Sequence, residues 1–401
     1  MKALMYGAGN IGRGFVGQAF AFSGYGVTFI DIADPVVNAL NRDRRYPVRI
    51  LSGSVYEDNW VEGVRAVNGR DAEKVSMEIA AADIMATAVG ARVLPVIAPV
   101  IAAGIKQRFT QTSAPLDIII CENLIDANKL LEELIMKNLN SGEIELFRKR
   151  VGLVEASIGR MVPIQTPEMQ DGNPLRVCTE AYNFLPVDKE AFKGEIPKIA
   201  NMVPCGRFDF YIKRKLFIHN MGHAVCAYLG MLKGDKFIYE TALQDDILFI
   251  VQNAMMESAL ALSSKFGVPL ADLHFHIRDL LFRFSNKALA DTCARVGADT
   301  SRKLGPRDRL IGAIGCCREE KVTPAFISAG TAAALYCHLK EKGAKLSMES
   351  AAMALENLSG LSSASPDAAL ILSMYDLIAG NTDLPAIILA ATEAGARKGV
   401  V

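Results

Sequence analysis

The stretch Lys2–Tyr6 followed by Gly7-Ala8-Gly9-Asn10-Ile11-Gly12 constrains this chain more than any other. Its short apolar run suits a buried strand, the glycines permit a turn, and Phe15, Val16, Ala19 and Phe20 then recur at helical spacing. In such a unit Gly7 serves the tight turn, Gly9 lets backbone approach a pyrophosphate, and Gly12 lets the helix lie close to the strand. The helix N-terminus, with Asn10 and Ile11, favours phosphate charge. A second apolar run, residues 27–30, ends in Asp31, about 20 residues beyond the glycines, where an acid can accept hydrogen bonds from an adenosine ribose. Asp31 would also repel a 2′-phosphate, so the expected cofactor is NAD. Arg13, just inside the helix, is a cation that works against that preference.

At 401 residues and 51% hydrophobic, the chain exceeds the roughly 250 to 300 residues that one core holds, so two domains are expected. Its 44 basic and 44 acidic residues cancel. That argues against nucleic acid or an anionic membrane as partner, and any anion site must be local. The longest apolar stretch, residues 93–105, contains Pro95 and Pro99 and falls short of the about 17 to 25 residues of a bilayer span. With no sustained hydrophobic region before Gly7, the expected location is the cytoplasm. The eight cysteines lack CxxC spacing and read as reduced, packed thiols. His274-Phe-His276, near Asp272, has no further ligand motif, so no metal is expected.

Beyond Asp31 the alternation of strands and helices continues. Residues 48–51 and 61–67 flank Ser52-Gly53 and read as a small antiparallel insertion, with Trp60 packed in it. Residues 83–90 form a buried strand opening into a loop at Val89-Gly90, and a helix begins near Arg92. Residues 116–121 form a strand ending at Glu122-Asn123, followed by a helix over 124–137 and a strand over 151–154. Strand ends are where doubly wound sheets bind ligands, so Val89 is expected at the nicotinamide side and Asn123 at cofactor or substrate. After about residue 190 helices dominate, over residues 248–266, 324–342, 348–358, 368–379 and 384–396, with Ser365-Pro366-Asp367 as a helix start. The expected architecture is an α/β Rossmann-type doubly wound domain over residues 1–190 and a mostly α-helical substrate and catalytic domain over 191–401. The boundary falls near Lys189, with a cleft between closely packed domains.

Residues 213–223 read Lys-Arg-Lys-Leu-Phe-Ile-His-Asn-Met-Gly-His, and the spacing KxxxxNxxH sets Lys215 before Asn220 and His223. On a helix at about 100° per residue the three fan over roughly 140°, so they can face one cleft, although a solvated stripe would show the same spacing. A secondary alcohol expels hydride only as its proton leaves. Lys215 would take that proton while Asn220 and His223 stabilise the developing alkoxide. Free lysine, near pKa 10.4, is a poor base at neutral pH, so burial and the neighbours Lys213 and Arg214 are expected to lower it.

Several motifs then appear in order: GAGNIGRGF at 7–15, TAVG at 87–90, CEN at 121–123, RxVP at 160–163, AFKG at 191–194, KLFxxNxGHA at 215–224 and RVGxxxxRKLxxxDRL at 295–310. Together they resemble the polyol-specific long-chain dehydrogenase/reductases of the mannitol dehydrogenase family, in their sugar-phosphate branch. The resemblance implies an NAD-binding Rossmann-type domain, a helical second domain, no zinc, and interconversion of mannitol 1-phosphate and fructose 6-phosphate. It also implies that Lys215 is the catalytic base, that Asn220 and His223 polarise the carbonyl, and that Asn123, Arg295 and Lys303 contact substrate, with Arg302 a further cation beside Lys303. Two departures stand out: Gly159 where the family carries an acid before the arginine, and Asn286-Lys287 where it often has Asn-Pro. The first leaves open a dehydrogenase of an unphosphorylated polyol or hexuronate. An isomerase or lyase holding NAD tightly, or a non-catalytic NAD-responsive binding protein, would be the other classes, and the latter would have no need of Lys215. The implied partner is a small polyol or sugar phosphate, and the implied state is a monomer or weak homo-oligomer.

Overall fold

The computed structural model describes residues 1–52 and 55–396. The chain divides into two compact units, Met1–Tyr211 and Ile212–Val401.

In the first unit six parallel strands lie in the order Val64–Asn68, Gly26–Asp31, Lys2–Tyr6, Ile84–Thr87, Leu116–Ile120, Val151–Glu155. The order reverses on either side of Lys2–Tyr6, which is the switch point at which such sheets open a ligand crevice. Tyr6 is level with both Ile30 and Thr87, so the segments following these three strands emerge on one edge. Alternation along the strands buries both faces: Ala3, Met5, Val27, Phe29 and Ala86 enter one apolar cluster, and Leu4, Tyr6, Ile30 and Met85 the other.

Arg45–Ser52 and Val55–Glu62 form the expected antiparallel insertion, extended by Val177–Thr179. Gly53 of the anticipated turn lies outside the described residues. Residues 61–67, however, do not form one strand: the chain turns at Gly63, and Val64–Asn68 joins the main sheet beside Gly26–Asp31. Trp60 is not packed inside but 45% exposed, under the Arg45 guanidinium at 4.8 Å.

The units divide at 211/212 rather than near Lys189 because the polar-looking stretch after residue 155 is tied to the sheet. Leu185–Asp188 pairs with Met202–Cys205, and Leu185 and Val187 enter the same core as Ala3 and Met5. Asp117, buried in a central strand, accepts hydrogen bonds from the Lys193 and Gly194 amides at 2.8 and 3.2 Å, which anchors the AFKG segment.

The second unit is helical. Its centre is Ala325–Glu341, buried along nearly its whole length and flanked by Met221–Lys233, Asp245–Phe266 and Pro366–Ala379. A Cβ at Gly330 would lie 2.4 Å from Val225, so the absent side chain is what lets two helices approach. The Glu257 carboxylate accepts the Phe326 and Ile327 amides at 2.9 and 3.0 Å, closing the helix's N-terminus from outside. Ser365 caps Pro366–Ala379 as its sequence indicates, accepting the Ala368 amide. Two segments, Ala91–Gln111 and Asp245–Phe266, are long and apolar enough by composition to cross a bilayer. Each buries one side within its own unit, against Ala72–Ala81 and Ala325–Glu341 respectively.

Candidate active site

The glycine turn of the first unit divides its labour as its residues suggest. Gly7 has φ +102°, and a Cβ there would lie 2.4 Å from the Ala88 carbonyl oxygen. A Cβ at Gly12 would lie 2.0 Å from the Gly7 carbonyl oxygen, so the helix begins directly against the turn. A Cβ at Gly9 would meet nothing within 4 Å among the described residues, its chain neighbours aside. Internal packing therefore gives no reason for glycine at that point, and the space beside it stays open. Asn10 and Ile11 open the helix, which widens into a π-helical turn over Gly12–Val16. The Asp31 carboxylate accepts the Ala8 amide at 2.7 Å and the Ala33 amide at 2.9 Å, shaping the turn while keeping lone pairs for ribose hydroxyls. Arg13 does not oppose this. It is buried, donating to the carbonyls of Ala8 and Leu175, and is turned inward rather than toward a 2′-phosphate.

At the next strand ends lies a group that the sequence reading passed over. Glu122 is buried, and its two oxygens accept the Val89 and Gly90 amides at 3.0 and 2.8 Å. The expected nicotinamide loop is thus latched to the neighbouring strand by one carboxylate, while Asn123 beside it is exposed. The CEN motif contained the signal, but only the fold sets residue 122 opposite residue 89.

In the second unit Lys215–Asn220 is a π-helical turn leading into the α-helix Met221–Lys233. With i→i+5 bonding, Lys215 falls close beneath Asn220 instead of more than a third of a turn away, so the two residues share a face that α-helical spacing would not give them. His223 follows on the next turn. Its ring stacks on Phe284, with centroids 4.7 Å apart and 14° between planes. Its Nε2 lies 3.5 Å from Asp291 Oδ2. That carboxylate is already committed to Arg295, which grips it through Nε at 2.7 Å and Nη2 at 2.6 Å. Burial, then the charges of Arg295, Arg309, Arg283 and Lys303, push His223 down to about 3. The imidazole is therefore neutral near pH 7, a hydrogen-bond donor and not an acid. Of the neighbouring cations, Lys213 Nζ sits over Phe266 at 5.3 Å, and the charge of Arg214 bears on His276.

Lys303 is 4% exposed and makes no ion pair or hydrogen bond through its ammonium among the described residues. Burial, with Arg309 and Arg302 nearby, lowers it to about 8. Arg302 is not a free partner for an anion, because Asp299 and Asp308 take its Nε and Nη1 at 2.6 and 2.7 Å. Arg309, in the DRL end of the motif, is the buried cation beside Lys303 that the sequence reading left unassigned.

Residues 1–201 match the family model of the mannitol dehydrogenase Rossmann domain, and residues 207–394 match that of the mannitol dehydrogenase C-terminal domain. The chain belongs to the mannitol dehydrogenase family. Among its family relatives, the mannitol-1-phosphate 5-dehydrogenase of Brevibacillus brevis is 37% identical, over 84% of this chain and 86% of its own. That of Geobacillus thermodenitrificans is 38% identical, over 78% and 80%. The family fold is that of the solved Pseudomonas fluorescens mannitol 2-dehydrogenase, a ternary complex with NAD and D-mannitol, which superposes with TM-score 0.75 at 16% identity over 98% of this chain and 94% of that one. A D-sorbitol dehydrogenase gives 0.77 at 13% identity over 97% and 95%. The family acid missing at Gly159 has a local counterpart in packing, since a Cβ there would lie 3.0 Å from the Tyr182 ring.

Proposed function

We propose that this protein is an NAD-dependent dehydrogenase that interconverts a polyol phosphate and a ketose phosphate, mannitol 1-phosphate and fructose 6-phosphate. The observation that carries the phosphate is Lys303, a buried ammonium with no direct ion pair among the described residues, close to Arg309 and Arg302, whose acids Asp299 and Asp308 act on it only at longer range. A neutral polyol would leave that ammonium without a direct partner, whereas a phosphate dianion supplies one. The relatives' names point the same way.

NAD, held by Gly7, Gly9, Asn10, Ile11, Gly12, Asp31 and Val89, supplies a hydride acceptor in oxidation and a donor in reduction. The chain's own groups handle the proton and the charge. Lys215, as the free amine, accepts the hydroxyl proton of the alcohol, and the ammonium returns it in reduction. Asn220 and neutral His223 donate hydrogen bonds to the same oxygen, which carries most negative charge once its proton has left and before the hydride departs. Stacking on Phe284 holds the plane of the His223 ring. Arg295 and Lys303 bind the substrate, and Asn123 contacts cofactor or substrate. No step is assigned to a metal. All eight cysteines are buried, which fits work in the reducing cytoplasm.

The test is a panel of polyol phosphates, free polyols and hexuronates with NAD and NADP, reading NADH absorbance. Mannitol 1-phosphate with NAD is expected to give the highest kcat/KM, and Asp31→Ala to narrow the preference for NAD. Faster turnover of free mannitol or a hexuronate overturns the phosphate assignment, and equal use of NADP overturns the role of Asp31. Conversion with no net NADH formed would show an isomerase or lyase instead.

A further inference from the structure

The helix Leu270–Phe284 contributes Phe284 to the site from one side and exposes a different sequence on the other. Phe275 and Phe282 are 73% and 78% exposed, more than any other aromatic residue among those described. Seven residues apart, they lie on one stripe of the helix. Between them stand Arg278 and Asp279, both exposed. Arg278 makes no ion pair among the described residues, and Asp279 meets only Arg283 of its own helix, at 3.1 Å. Exposed Asp272 sits in the first turn of the helix, and exposed Lys287 lies just past its end.

This order is self-complementary. A twofold axis through the midpoint between Arg278 and Asp279 sets two such helices antiparallel. Phe275 then meets Phe282 of the second copy, Arg278 meets Asp279, and Lys287 comes within a turn of Asp272. An isologous contact requires just this reciprocity, with apolar groups facing apolar ones and charges facing their opposites. A different partner protein would not require the stripe to complement itself. We infer that this face is a homodimer contact, made by two copies of Leu270–Phe284 about a twofold axis. Phenylalanine buries about 150 to 250 Å² at most, so four rings give an interface at the low end of size, under about 1,200 Å². The association is therefore weak and reversible.

Sedimentation velocity on the purified full chain, from a few micromolar to several hundred micromolar, tests it. A concentration-dependent shift from monomer to dimer is expected. Phe275→Ser should weaken the dimer by about tenfold or more, because a central aromatic anchor is lost twice. Arg278→Asp sets acid against acid and should also dissociate it, whereas the double variant Arg278→Asp with Asp279→Arg restores opposite charges across the axis and should recover association. Circular dichroism checks that each variant keeps its helix, which these exposed positions do not support through burial. A protein that stays monomeric throughout the range, or dimerises equally with Phe275→Ser, overturns the assignment. So does a double variant no better than Arg278→Asp.

Discussion

Replacing Lys303 by methionine should stabilise the protein and, at the same time, cost it its preferred substrate. Burial, with Arg309 and Arg302 beside it, holds the ammonium at about 8 against 10.5 for an ordinary lysine. The folded-state pKa is thus depressed. Between about 8 and 10.5 the unfolded chain binds more protons than the folded one, and stability rises with pH through that window. Below it the charge is a constant burden, on the order of 3 kcal/mol at 1.36 kcal/mol per pH unit. Methionine keeps most of the stem's packing and removes the charge. At pH 7 the variant should therefore melt higher, by about 5 °C or more if 1 kcal/mol is worth roughly 2 to 4 °C in a unit of this size. By pH 10.5 the advantage should vanish, because the parent's lysine is by then neutral. Substrate binding should move the other way. A charge-assisted hydrogen bond to phosphate is worth about 1.5 to 3 kcal/mol, so KM for the sugar phosphate should rise about tenfold or more, with that of the free sugar little changed. Calorimetric melts from pH 6.5 to 10.5 and steady-state kinetics on both sugars read these quantities. A variant that melts below the parent at pH 7, or a KM that rises equally for both sugars, refutes the reasoning.

Lys215→Ala should lower kcat by about 10² to 10⁴ while the dissociation constant for NAD, from fluorescence titration, stays within about twofold; near-full activity, or loss on chelation with recovery on adding zinc, would remove the lysine mechanism. His223, held at about 3, should contribute no limb to the kcat profile between pH 5 and 8, and an acid limb near 6.5 that disappears in His223→Gln would contradict its neutrality. Since the unfolded imidazole titrates near 6.5, its burial should also cost stability as pH falls from there toward 3, a loss that His223→Gln should reduce in acid melts. Glu122→Gln turns an amide N–H₂ toward the Val89 or Gly90 N–H. Losing that acceptor, at about 1 to 3 kcal/mol, should speed amide exchange at both residues and weaken NAD binding; unchanged exchange would mean that the latch is idle.

The sequence by itself determined the parts of this protein that depend on neighbours along the chain. A strand, a glycine turn and a helix need only a few adjacent residues, so the turn at Gly7, the close packing at Gly12 and the place of Asp31 at its strand's end were legible, as was the N-cap at Ser365. Helices such as Leu384–Ala396 declare themselves through local composition. What only the tertiary structure decided depends on residues far apart in sequence. The boundary moved to 211/212 because pairing of Leu185–Asp188 with Met202–Cys205 and the grip of Asp117 on residues 193 and 194 are long-range contacts. Residues 61–67 split between two sheets for the same reason. The turn at Lys215–Asn220 follows π rather than α geometry, a difference of one hydrogen-bond register that spacing in sequence does not encode. Charge shows the division most clearly. As letters, Arg13, Arg302 and Lys303 are equivalent cations, but burial and partners separate them: the first donates to carbonyls, the second is neutralised by two aspartates, and the third is left buried without a direct ion pair among the described residues. Desolvation and pairing are properties of the folded surroundings, and they decide which of the three is left with a buried charge to be met from outside.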